Sequence, residues 1–164
     1  MQTIPARMTY LRNAETLFGL AFPVVFCVVW QRDGAPIAWG MRGAATALVS
    51  YILLQGGLYW HLKLRTVLRR QPLPAYFQPL YRFFKYSNLA GIAALATLIA
   101  VMNDGTASTR DLWWSYGLLA FAVLEQINYY HYQLMYDTSA AFAYLRRNGR
   151  LRRAALGLDL ERQR

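Results

Sequence analysis

The chain has 164 residues, 56% of them apolar and 15% aromatic, with only 16% charged. That is the length of one domain, with an apolar share above the ~45–50% usual in soluble domains, which points to a polytopic membrane protein. The net charge of +10 would suit a nucleic-acid binder, but most Lys and Arg fall in blocks flanking apolar runs, a membrane-orientation pattern that argues against nucleic acid as a partner.

Taken in order, the N-terminal MQTIPARMTYLRNAE lacks the early apolar run and small-residue cleavage site of a signal peptide. A helix starting near Pro5, a residue tolerated in a first turn, carries an apolar span through Leu11–Trp30. Twenty residues rise about 30 Å, enough to cross a bilayer. Pro23 should kink this span or leave a carbonyl needing a partner. Cys27 is the only cysteine and lies in the apolar run, so neither a disulfide framework nor a cysteine metal site is available. The turn cluster Gln31–Pro36 leads to a second span from Ile37 to about Leu62, with Trp39 at its interface and Arg42 one turn inside, able to snorkel outward. A basic connection follows, interrupted by Pro72, Pro74 and Pro79.

The third span is Phe83–Met102, opened by a belt of Tyr81, Phe83, Phe84 and Tyr86 and closed by the turn Asn103-Asp104-Gly105. Asp111 can cap a fourth span that carries Trp113 and Trp114 at the interface and runs to about Asp137. Residues 138–164 form a basic tail, which Asn148-Gly149 divides into two short amphipathic helices. The expected fold is therefore all-α: a four-span domain over residues 1–137, built as two tandem hairpins, with a cytoplasmic amphipathic tail over 138–164. Four spans put fifteen Lys and Arg on one side and three on the other. This places both termini in the cytoplasm, and the tail on anionic headgroups. Arg outnumbers Lys sixteen to two, a composition suggesting a GC-rich bacterial gene and hence a bacterial inner membrane.

The ends of spans two and four resemble each other. Leu54–Leu64 lies over Leu124–Leu134 at an offset of 70 residues, with Leu, Tyr, His and Leu identical, Gln55 over Glu125 and His61 over His131. The two outer turns match at an offset of 71. A duplicated hairpin with a pseudo-two-fold axis along the membrane normal accounts for the match. Shared belt composition accounts for its aromatics but not for its histidines.

The polar inventory concentrates in LEQINYYHYQLMYD, residues 124–137. Glu125 lies twelve residues beyond Trp113, about 18 Å into the apolar layer. A charge left against lipid there costs at least about 2.5 kcal/mol, so Glu125 should face the bundle and meet Gln55 or Tyr59 on span two. Helical spacing sets Tyr129, Tyr132 and Tyr136 on its face, with Asn128 beside it. This column suits an ion, proton or ligand pathway, and it also suits plain interhelical hydrogen bonding. His61 and His131 are the only histidines. Together they admit a bis-His haem, with Lys63 and Arg65 near its propionates. Two histidines are too few for a closed zinc site unless Glu15 or Asp137 assists. No phosphate loop, nucleophile elbow or zinc-protease motif is present, and the sequence leans away from an enzyme. The expectation is a small membrane binding or transport component, needing a homo-oligomer for any permeation path. A haem electron-transfer protein and a non-catalytic scaffold or regulator are the rivals.

Overall fold

The computed structural model of the protein describes residues 3–34, 36–103, 107–135 and 139–162, the side chains of 139–141 excepted. Tyr136 and Asp137, and Asp104 and Gly105 of the outer turn, lie outside the described residues. The described residues form six α-helices: α1 (Ile4–Arg32), α2 (Trp39–Arg69), α3 (Phe77–Met102), α4 (Thr109–Tyr130), α5 (Ser139–Asn148) and α6 (Ala155–Arg162). The fold is all-helical, and its only strand-like pairing among these residues is an isolated bridge between Tyr132 and Arg153.

Local chemistry sets the helix ends. Thr3 accepts a side-chain hydrogen bond from the Ala6 amide at 3.4 Å, and Pro5 sits in the first turn of α1. Ser108 and Asp111 form a reciprocal capping box at the start of α4, satisfying amides that the helix itself cannot. Gly149 takes φ 60° immediately after α5, a left-handed backbone that glycine adopts without a Cβ penalty. Arg70 closes α2 in the same region, at φ 51°.

Three boundaries depart from the sequence expectation. α2 runs on to Arg69 through the stretch read as a connection, because Leu62 and Leu64 are buried there and no proline interrupts before Pro72. α3 starts at Phe77, whose amide donates to the Pro74 carbonyl at 2.9 Å while Phe77 and Tyr81 enter the core. α4 stops at Tyr130 instead of continuing to about Asp137. There the Tyr132 amide turns back to the Ile127 carbonyl, and the Leu134 amide is taken by the Asn128 side chain at 2.9 Å. The Gln133 amide donates to the Arg152 carbonyl at 2.8 Å, and the Ala154 amide to the His131 carbonyl at 3.1 Å.

α2 is the axis of the molecule, touched by α1, α3 and α4, while α4 also meets α3 and α6. Close approach depends on small residues, as in membrane helix pairs. A Cβ on Gly57 would lie 2.5 Å from the Thr16 hydroxyl, and one on Gly91 2.7 Å from Leu48. The apolar core (Met41, Val49, Ile52, Leu95, Ile99, Leu118) is interleaved with buried Thr46, Ser115, Asn88 and Gln126.

Apolar side chains also dominate the outside. α1 buries only Leu11, Glu15, Gly19 and Trp30, while Leu17, Phe18, Leu20, Val24 and Val25 are exposed. α1 and α3 are the two described helices long and apolar enough to cross a membrane, and only 17% of the most apolar window of each is buried. A core helix of a water-soluble bundle would hide that surface on every side.

α6 docks on the bundle rather than trailing from it. Asp159 is buried between Lys63, whose Nζ lies 2.7 Å from Oδ1, and Tyr59, whose hydroxyl donates to Oδ2 at 2.8 Å. The Gln78 amide donates to the Leu160 carbonyl at 3.1 Å. Gly157 lies so close to α4 that a Cβ there would stand 2.6 Å from the Tyr130 carbonyl oxygen.

Candidate functional site

The residues singled out from the sequence separate into three groups. Gln55 belongs to a buried amide cluster linking α2, α3 and α4. Its Nε2 donates to Asn88 Oδ1 at 2.9 Å, and Asn88 Nδ2 donates to Gln55 Oε1 at 2.9 Å and to Gln126 Oε1 at 3.0 Å. Gln126 in turn donates to the Lys85 carbonyl at 3.2 Å, and Tyr81 to the Gln55 carbonyl at 3.0 Å. Buried amides are costly unless paired, and this cluster closes on itself.

The expected partnership of Glu125 with Gln55 or Tyr59 is therefore not the one formed. The amide of α4 that reaches Gln55's neighbour Asn88 is Gln126, one residue on, and Tyr59 is occupied by Asp159. Glu125 accepts from Asn128 Nδ2 at 3.2 Å and stands beside the Tyr129 hydroxyl.

Tyr129 is the hinge of the second group. Its hydroxyl donates to Glu15 Oε2 on α1, with the Trp60 indole N–H also turned toward that carboxyl group. Gly56 makes the arrangement possible, since a Cβ there would lie 2.3 Å from the Tyr129 hydroxyl and 2.7 Å from Glu15 Oε2. Glu15 and Glu125 thus converge on one phenol from two helices, and among the described residues neither forms an ion pair with Lys, Arg or His. Glu15 and Tyr129 border a cavity of about 490 Å3 whose lining also includes Trp60, Asn128, Met8 and Leu156. Arg7 and Arg152 also line it, the latter with its guanidinium 4.9 Å from the Tyr144 ring centre.

His61 and His131 form the third group, and neither shares a cavity lining or a hydrogen bond with the other among the described residues. His61 is exposed in a groove with Arg12, Asn13 and Thr16. The close approach that Gly57 permits is taken by α1. His131 is exposed at the end of α4, its amide donating to the Ile127 carbonyl at 2.9 Å. Neither lines the cavity over Glu15. Tyr132, expected on the face of Glu125, is exposed and pairs with Arg153 instead.

At the opposite end of the bundle lies an ion pair. Arg42 is 1% exposed, not snorkelled outward, and its Nε sits 2.6 Å from Asp111 Oδ1. That N–H is not aimed at the oxygen, so the contact is charge pairing rather than a directed hydrogen bond. The guanidinium also lies 5.3 Å from the Trp30 ring centre, a cation–π distance. Asp111 stands ahead of Trp113, in the capping turn. Burial pushes its carboxyl group up, but the Ser108 hydroxyl, the Ala38 amide and the Arg42 guanidinium outweigh this and hold it below the usual carboxylate range.

Sequence reasoning gave Glu15 no place in the polar column and passed over Asn88 and Gln126. Glu15 was legible as a carboxylate four residues inside the span that begins at Leu11, but its partner Tyr129 lies 114 positions on, beyond any spacing rule. The chain matches no family model, no curated protein and no solved structure, so the site is interpreted from its own geometry.

Proposed function

We propose that the protein is a four-span integral membrane protein with both termini and the Arg65–Lys85 connection in the cytoplasm, and that its cavity binds a small ligand or ion arriving from that side. The observation that carries the reading is the convergence of Glu15 and Glu125 on Tyr129 beside a cavity, with no basic partner for either among the described residues. A buried carboxyl group that served only packing would be expected to find a cation, as Asp111 and Asp159 do.

The four-span reading is supported by the exposed apolar faces of α1 and α3 and by the bias of Lys and Arg toward one side. α2 and α4 have 31 and 22 residues, roughly 46 and 33 Å of helix, and so have the length to cross. They are less apolar because they carry the polar groups that meet inside: Arg42 with Asp111, and Gln55 with Gln126 through Asn88. Four helices around one cavity make a binding site. A continuous path across the bilayer would require several copies.

Single-cysteine labelling in a Cys27→Ser background tests this reading. Met8→Cys, in the cavity wall, should react with an impermeant maleimide in inverted vesicles and be shielded in intact cells. Thr109→Cys should behave in the opposite way. Labelling of position 8 from outside the cell, or of both positions from the same side, would overturn it.

A further inference from the structure

We infer that the cavity over Glu15 selects an amphipathic organic monocation, an ammonium group attached to a small apolar or aromatic body. The inference rests on the cavity being a ligand site, as proposed above. Its size comes first: about 490 Å3 falls within the roughly 300–1,000 Å3 of small-molecule pockets. The chemistry of the wall comes second. Met8, Leu11 and Leu156 supply apolar surface, while Trp60 and Tyr129 supply aromatic rings, a side-chain type to which cations are attracted.

The decisive feature is the polar side. A carboxylate offers about four acceptor positions. Tyr129 and Trp60 approach Glu15 as donors, leaving acceptor capacity for an ammonium N–H. An anionic head at that point would meet Glu15 with Glu125 close behind it, and only a cationic head would compensate an ionised Glu15. Arg7 and Arg152 are the cations of the same cavity. Arg7 precedes Glu15 by eight residues on α1, which separates their backbones by about 12 Å along the axis, and the two form no ion pair among the described residues. The Arg152 guanidinium is held against Tyr144.

Three probes of one shape separate the possibilities: 2-phenylethylammonium, 2-phenylethanol and 3-phenylpropionate, titrated calorimetrically into the purified full-length protein. The ammonium should bind at least about tenfold more tightly than the other two, the effect of one charge-assisted contact. Glu15→Gln should remove that preference while keeping binding of the alcohol, and Glu15→Asp should retain it. Equal binding of all three, or tightest binding of the carboxylate, overturns the inference and leaves the cavity a ligand site. Binding of none overturns both the inference and the ligand-site reading. Because the comparison among probes is made on the unaltered protein, it does not depend on either variant folding.

Discussion

Gly56→Ala is the smallest change that should dismantle the candidate site. The added methyl carbon would stand 2.3 Å from the Tyr129 hydroxyl, 2.6 Å from its Cζ and 2.7 Å from Glu15 Oε2, all inside van der Waals contact. These atoms are the far ends of side chains, so α1 and α4 need not leave α2. What yields is the bond between Tyr129 and Glu15. Losing a buried hydrogen bond to an ionisable group costs about 1.5–3 kcal/mol, and mild overpacking adds about 1 kcal/mol. Replacing glycine in a helix interior returns about 1 kcal/mol. The net expectation is roughly 2 kcal/mol of destabilisation, read as a lowered midpoint of reversible unfolding in mixed micelles. Gly117→Ala is the matched control. That glycine also lies within a helix, but a Cβ added to it would meet nothing within 4 Å, so the substitution should stabilise by up to about 1 kcal/mol. A double-mutant cycle sharpens the test, because Tyr129→Phe should cost nothing further once Gly56→Ala has broken the bond. If Gly56→Ala is as stable as Gly117→Ala, or if Tyr129→Phe costs the same in both backgrounds, the geometric reasoning fails.

Removing one partner of the buried pair, by Arg42→Met or Asp111→Leu, should destabilise by about 3–5 kcal/mol, and the double substitution should recover much of the loss. Because the Asp111 carboxyl is held below its ordinary value, its share of stability should be fully present above about pH 4 and be lost as the pH falls through that lowered value; Asp111→Leu should flatten this part of an acid titration of stability. Asn88→Leu leaves the Gln55 and Gln126 side chains without their shared partner and should cost about 1–3 kcal/mol by the same unfolding measurement, more than Asn88→Ser, which admits a bridging water. Asp159→Asn weakens the tie of α6 to Lys63 and Tyr59 and should speed proteolysis between residues 149 and 154, while Arg162→Gln, at an exposed position of the same helix, should leave the rate unchanged.

How far the sequence could be read depended on whether a residue's partner was local. Helical content and the break at Asn148-Gly149 follow from near neighbours and apolar periodicity, and were legible. Asp111 was legible in the capping turn, although the N-cap itself is Ser108, with Asp111 as its N3 partner. The role of Glu125 was not, because its expected partner Gln55 finds Asn88 on a helix that no spacing rule links to it. Arg42 looked free to snorkel only because Asp111, 69 positions on, carries no local sign of standing opposite it. The offset of 70 aligned Glu125 with Gln55, whereas the buried amides that meet at Asn88 are Gln55 and Gln126. The histidine pairing rested on that alignment, and His61 and His131 share neither a cavity lining nor a hydrogen bond among the described residues.

The docking of α6 bears on how the protein is made. Ala155 and Leu156 help to wall the cavity, and Asp159 ties their helix to Lys63 and Tyr59. These residues follow α1 to α4 in the chain and are synthesised after them. On the four-span reading, α1 to α4 have already met the translocation machinery by then. On that reading, insertion of the four helices and completion of the cavity wall are separate events, and a released chain truncated before residue 155 would keep α1 to α4 but lack the part of the wall that Ala155 and Leu156 supply.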